Sequence, residues 1–245
     1  MNPVWKKLWG GLAALCVLFG SWWLGSFFIQ KPLLPSPWLV FQQLSTLLSQ
    51  GMWVHLQASL ARVLYGLLLA IVVGFGLGLL SATGRAFFDP LLYLIYPIPK
   101  MALLPIVMLL GGLGDSSKVM MIVLIVFPQV TIAVRDAIRA IPKEYYAVYR
   151  SLTISQWQQF KQITFPATLP AIVSATRVSL GTALSILFFT ENYGTEFGMG
   201  YFIMEAWTRM DYPTMYAGIL ILSGIGFLIF GLLDLLAKRF FRWQA

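Results

Sequence analysis

The chain has 245 residues, of which 59% are hydrophobic and only 11% charged, with a formal net charge of +8. Soluble domains carry about 25% charged residues, and one core of this size cannot hide so much apolar surface. The bilayer is therefore the solvent for most of the chain, a separate soluble domain is excluded, and the basic balance belongs to membrane topology rather than to nucleic-acid binding.

A membrane helix needs about 20 mostly apolar residues. The first such run is Trp9–Ile29, after Lys6 and Lys7. It is longer than the roughly 7–15 residues of a signal-peptide core, and no small-x-small cleavage site follows, so an uncleaved first helix is expected. The prolines Pro32, Pro35 and Pro37 break the chain there, and residues 38–50 form a short amphipathic segment suited to the interface. Residues 59–82 make a second span whose Gly74, Gly76 and Gly78 suit close helix packing in lipid. A third span, 88–110, is interrupted by Pro97 and Pro99, and a fourth covers 118–134. A polar stretch, 135–165, precedes a fifth span at 169–190. A mixed loop, 191–213, leads to a sixth span at 215–236, ending in Lys238, Arg239 and Arg242.

Six spans place both termini on one side. That side collects Lys6, Lys7, Arg85, Arg135, Arg139, Lys143, Arg150, Lys161, Lys238, Arg239 and Arg242, against Lys31, Lys118 and Arg209 on the other. The positive-inside rule then makes both termini and the 135–165 stretch cytoplasmic and the 191–213 loop external. The expectation is an all-α membrane protein of about six transmembrane helices forming a single transmembrane domain over 1–245, with an N-terminal helix in 1–31.

The 135–165 stretch is the most informative part. Pro142 suits a helix start, and residues 145–152 read as one short helix. Ser155 with Gln158 three residues on is a capping-box pattern, after which Trp157, Phe160 and Ile163 recur at helical spacing. Pro166 and Pro170 end the segment. The product is a helix–turn–helix at the membrane surface, unusually rich in aromatics through Tyr145, Tyr146, Tyr149 and Trp157.

This segment resembles the coupling loop of ABC importer permeases, whose pattern is Glu-Ala-Ala, three residues, Gly, nine residues, Ile-x-Leu-Pro. The frame falls here on Ala147-Val148-Tyr149, Thr153 and Ile163-Thr164-Phe165-Pro166. Ala147 stands where glutamate is usual and Thr153 where glycine is usual. "LLPSPWLVF", "YPIPKMALLPIVMLLGGLG" and "FFTENYGTEFGMGYFI" are similar, in the right order, to segments of permeases of the nitrate, sulfonate and taurine type. The likeness covers residues 32–240, with the coupling loop at 142–166.

The resemblance implies a binding-protein-dependent importer in the bacterial cytoplasmic membrane. Two permease copies, a homodimer, would form the pathway. Two ATP-binding subunits would dock on the cytoplasmic face, and an extracytoplasmic protein would deliver the solute. Tyr146, Ala147, Tyr149, Arg150, Leu152, Thr153, Ile154 and Trp157 would form the coupling site, with Tyr149, Leu152 and Ile154 touching the ATPase. ATP and Mg would be bound by the partner, since no G-x-x-x-x-G-K-[ST] loop occurs in this chain. No cofactor or metal, no catalytic group and no nucleic acid is expected of it. The substrate expected is a small organic anion such as a sulfonate, with a thiamine precursor or riboflavin-like molecule as the alternative. An ion-coupled secondary transporter would show paired interruptions in both halves, and only the third span is interrupted. A membrane-embedded enzyme needs a nucleophile–base set or metal ligands. One cysteine, Cys16, and one histidine, His55, argue against both.

Four residues are candidates for the pathway. Lys100, just after the two prolines, should face protein or water because an ammonium near the bilayer centre costs at least about 2.5 kcal/mol. It either attracts substrate or caps carbonyls freed by the break. Arg177 pairs with Asp234 across the fifth and sixth spans, unless Asp234 instead pairs with Lys238 one turn on. Glu191 and Asn192 lie at the external mouth, as gate or as a polar helix end, with Arg62 a partner for Glu191. A β-branched residue at Thr153 is expected to sit in a turn of negative φ, with Ser155 capping the next helix, the alternative being a strained Thr153.

Overall fold

The computed structural model describes residues 3–49, 51–83, 88–152 and 155–240, and among these it contains helices and no strand. The helices are α1 (Pro3–Ile29), α2 (Pro37–Ser49), α3 (Trp53–Ala82), α4 (Phe88–Ile95) and α5 (Leu104–Gly111). They continue with α6 (Asp115–Arg139), α7 (Lys143–Ser151), α8 (Gln156–Gln159), α9 (Phe165–Thr190), α10 (Met199–Thr208) and α11 (Tyr212–Phe240). Among the described residues, five segments are long and apolar enough to cross a membrane: α1, α3, α6, α8–α9 and α11. A sixth is α4 with α5, taken as one span bent by 85°.

The core is built on α3 and α6, which run parallel in fixed register. A Cβ added at Gly66, Gly74 or Gly78 would lie 2.7 Å from a side-chain atom of Ile122, Val130 or Val134 respectively. Ala70 and Val126 fill the intervening positions, both without exposed surface. A small residue every fourth position makes a groove down α3, and a β-branched residue every fourth position makes the ridge of α6 that fills it. Gly76, on the other face, has nothing within 4 Å of an added Cβ. α9 closes this core through Ile172, Leu180, Ala183, Ile186 and Leu187. A second cluster joins α2 to α10 and α11 through Val40, Leu47, Met199 and Ala217. Here the Gln43 amide donates to Thr214 Oγ1 at 2.9 Å. α1 stands apart, mostly exposed, tied by Trp22, which donates to the Pro35 carbonyl and stacks on Tyr216.

Several element bounds differ from the expectation. α3 starts at Trp53 and α6 runs from Asp115 to Arg139, so Lys118 and Arg135, read as loop charges, lie inside a helix and are buried. Lys118 is accommodated because its ammonium donates to the Leu113 and Gly114 carbonyls at 2.7 and 3.1 Å. The 191–213 loop contains α10. Pro166 and Pro170 do not end the coupling segment, because helix runs on through them into α9. A wide turn, Phe160–Thr164, in which Phe165 N–H donates to Phe160 O, joins α8 to α9. The i→i+5 bonding of such a turn alters the ladder just ahead of Pro166, which has no N–H to offer.

Candidate functional site

α7, α8 and the wide turn form a hairpin beyond the ends of α6 and α9. Its second helix starts as the pattern requires. Gln158 N–H donates to Ser155 Oγ at 3.3 Å, and Ser155 N–H donates to Gln158 Oε1 at 3.2 Å. α7 divides its faces. Tyr146 and Tyr149 turn toward the protein and are half-buried, while Tyr145, Val148 and Leu152 are exposed, spaced by three and four residues along one side. Tyr146 hydroxyl bonds Thr164 Oγ1 at 2.9 Å, and Tyr149 lines a cleft with Ile141, Ile163 and Pro166, at whose rim Tyr145 also stands. Trp157 is exposed and stacks on Phe160, whose ring lies 6.3 Å from Phe75 of α3. The hairpin is thus bolted to α9 and α3 while offering an apolar outer face. Ala147 is exposed. Thr153 and Ile154 lie outside the described residues, as do Arg85 and Arg242 and the side chains of Lys6, Lys7 and Arg150.

In the broken span, Lys100 opens the one-turn helix Lys100–Leu103. Its ammonium donates to the Tyr96 carbonyl at 2.9 Å and lies 5.5 Å from the centroid of the Tyr96 ring. The carbonyl-capping role is thus filled. Toward the hairpin end of the same span, Asp89 accepts from Ser81 Oγ (2.6 Å), Arg139 Nη2 (2.6 Å) and Arg135 Nη1 (3.2 Å). One carboxylate therefore ties the first turn of α4 to the last turns of α3 and α6.

At the opposite end, Glu191 has no exposed surface. Its carboxylate accepts from Arg62 Nη1 at 2.6 Å, from Ser59 Oγ at 2.8 Å and from Gly200 N–H at 2.8 Å. Arg62 also donates to the Phe197 carbonyl and to Asp115. Glu191 thus satisfies an orphan N–H in the first turn of α10, where the helix dipole favours an anion. Gly198, at φ 149°, makes room, because a Cβ there would lie 2.5 Å from the carboxylate carbon. The Arg62 partner expected from sequence is present, but in this conformation the carboxylate meets no open surface. Asn192 beside it is half-buried, with its Oδ1 buried and without a partner among the described residues. Arg177 forms the expected ion pair with Asp234, and Phe230 lies under its guanidinium. The pair faces the α9–α11 contact. Sequence reasoning missed Asp89, Ser59, Gly198 and Gly200; the glycine pair so close after an acid was the available signal.

Comparison with known proteins agrees with this architecture. The family described as binding-protein-dependent transport system inner membrane component matches residues 66–242. The taurine transport system permease protein TauC of Escherichia coli (strain K12) is 29% identical, over 99% of this chain and 92% of its own length. The formylaminopyrimidine transport permease protein ThiX of Halalkalibacterium halodurans (strain ATCC BAA-125 / DSM 18197 / FERM 7344 / JCM 9153 / C-125) is 32% identical, over 93% of each chain. Among solved structures, a chain of a bacterial ABC transporter involved in import of the acidic polysaccharide alginate superposes with a TM-score of 0.69 at 16% identity, covering 97% of this chain and 99% of that one. The chain belongs to the binding-protein-dependent inner membrane component family, whose members are membrane-spanning permease subunits of ABC importers. It is a transport subunit for a small solute and not an enzyme, with ATP hydrolysis held by a separate subunit.

Proposed function

We propose that the chain carries a small organic anion of the sulfonate class across the cytoplasmic membrane. In this reading it works as one of two identical copies, with two ATP-binding subunits that hold ATP and Mg on the hairpin side. The charge distribution supports placing the hairpin and both termini in the cytoplasm. The observation that carries the coupling role is the α7–α8 hairpin, anchored inward by Tyr146 and Phe160 and exposing Tyr145, Val148, Leu152 and Trp157. An exposed apolar patch rimmed by polar residues marks a partner site. A rigid hairpin at the end of α6 and α9 converts closure of the ATPase pair into helix movement. Of the residues assigned from sequence, Leu152 belongs to the docking face, and Tyr149 to the hinge beneath it. Ile154 stays assigned to docking through its place in the motif.

Cysteines at Tyr145, Val148 and Leu152 should cross-link to a cysteine series on the ATP-binding subunit in membranes, and one at Tyr149 more slowly. Absence of a cross-link at all three outer positions would remove the docking assignment. Taurine transport by a relative supports the sulfonate reading, and formylaminopyrimidine transport by another supplies the competing one. Mass spectrometry of the ligand that co-purifies with the cognate binding protein separates them, since a pyrimidine in place of an oxoanion would end the sulfonate reading.

A further inference from the structure

A groove of about 700 Å³ runs between α6 and α9, roofed by Tyr96 at the break of the third span. Its size falls in the range of small-molecule sites, about 300–1,000 Å³. None of the four pathway candidates drawn from the sequence lines it; the polar side chains that do are Gln129, Asp136, Ser174 and Thr182, besides Tyr96.

The hydrogen bonding of α9 separates these groups from the rest of the helix. α9 carries seven serine and threonine residues, and Thr168, Thr176, Ser185 and Thr190 each donate to a backbone carbonyl three or four residues earlier, whereas the single Ser179 proton lies between the Ala175 carbonyl at 2.8 Å and the nearer Gln129 Oε1 at 2.6 Å. Such back-bonding is how a helical hydroxyl hides its polarity where no water reaches. Ser174 and Thr182 make no such bond among the described residues, and both line the groove. Between them, Ser179 Oγ lies 2.6 Å from Gln129 Oε1 as donor and orients the amide. Gln129 Oε1 is thereby occupied, and its amide N–H groups are left to serve the groove. Two hydroxyls eight residues apart on one helix stand about 12 Å apart along its axis. An oriented amide lies between them, so a file of neutral donors follows the groove. On the far side of α9, the furrow shared with α11 holds back-bonded Ser185 and Ser223, which has no hydrogen bond among the described residues, surrounded by apolar side chains. Free hydroxyls facing lipid would forfeit their hydrogen bonds, at a cost of about 1–3 kcal/mol each.

We infer that Gln129, Ser174 and Thr182 form the solute-contacting wall of the pathway, a water-filled track of neutral donors for a small oxoanion. This deepens the importer reading and rests on it. Asp136, the one charged side chain lining the groove, is paired with Arg135, and Lys100 lies on the Tyr96 ring outside the lining, so the wall holds no bare cation and its anion contacts fall to the neutral donors. Conduction requires contacts good enough for entry and weak enough for release, which neutral donors supply.

The test uses the assembled importer in vesicles, with Cys16→Ala as background and single cysteines at Gln129, Ser174 and Thr182. The probe is 2-sulfonatoethyl methanethiosulfonate, itself a small alkyl sulfonate that does not enter lipid. Phe227→Cys, on an exposed face of α11, is the control. Labelling at the three positions should exceed the control by about tenfold or more, since water-borne reagent does not reach lipid-facing thiols. The sulfonate should also outpace the trimethylammonioethyl reagent at these positions, after normalisation to a free thiol. Labelling at control level, or only by a lipid-soluble maleimide, overturns the track. A cation preference overturns the anion assignment. ATP-dependent uptake by the unmodified complex is followed in parallel. Its absence removes the importer reading itself, whereas uptake without labelling removes only this wall.

Discussion

Glu191 is a carboxylate placed where water cannot reach it, and every neighbour is arranged to make that tolerable. Arg62 supplies the opposite charge, Ser59 and Gly200 supply donors, and Gly198 supplies space. Removing one partner of a buried ion pair costs up to about 3–5 kcal/mol, less here because Arg62 keeps Asp115 and the Phe197 carbonyl, while Ser59 and the Gly200 N–H lose their acceptor. Glu191→Ala should therefore lower the thermal midpoint of the purified permease clearly, and Gly198→Ala should do the same by crowding the carboxylate. The Arg62→Met/Glu191→Met double variant should lose less than the sum of its singles. An unchanged midpoint in Glu191→Ala would show that the knot contributes nothing. The Arg62–Glu191 pair was legible in the sequence because both are charges near the same membrane boundary. The glycines gave only their spacing after an acid and Ser59 gave nothing, because their role exists only once α3 and α10 meet.

At the scale of the element, register decides more than hydropathy. The apolar runs located the spans, since a helix in lipid must satisfy its own backbone, but their ends were drawn too short. Lys118 and Arg135 look like boundary markers by charge alone, yet the Leu113 carbonyl and the Asp89 carboxylate let them lie buried inside α6. The four-residue spacing of Gly66, Ala70, Gly74 and Gly78 was in the sequence, but its match to Ile122, Val126, Val130 and Val134 needed the partner helix. That match makes a sharp contrast between neighbours. At Gly74 a Cβ would lie 2.7 Å from Val130 Cβ and 2.9 Å from the Phe127 carbonyl, whereas at Gly76 it meets nothing. Gly74→Ala should destabilise by about 1–3 kcal/mol through overpacking. Gly76→Ala should be neutral or stabilising by up to about 1 kcal/mol through helix propensity. Thermal unfolding of the two variants in detergent checks this, and equal midpoints would refute the register argument.

At the scale of the whole molecule, the question is how a push on the hairpin reaches the broken span. α6 leads into α7 through the short link at Ala140–Pro142, so movement of the hairpin moves the end of α6. α4 is only 8 residues long, with Leu92 its one buried side chain, and an 85° break separates it from α5. Little packing would drag it along. Asp89 supplies the link, because Arg135 and Arg139 of α6 and Ser81 of α3 all donate to its carboxylate. When α6 moves, the first half of the third span moves with it, and Tyr96 at the top of that half roofs the α6–α9 groove. Asp89→Asn keeps the shape and removes the charge that holds two guanidinium groups. Coupling between distant sites is typically worth about 1–3 kcal/mol, equivalent to about 5–150-fold. The ratio of solute moved to ATP hydrolysed should accordingly fall about fivefold or more in Asp89→Asn, while binding-protein-stimulated ATP hydrolysis persists. A loss of folding would lower both rates together and leave their ratio unchanged. Exchanging the charges, Asp89→Arg with Arg139→Asp, should recover part of the ratio, because the α4–α6 link is restored with its polarity reversed. A ratio that stays at its original value in Asp89→Asn, with the complex assembled, would mean that α4 follows α6 without this carboxylate.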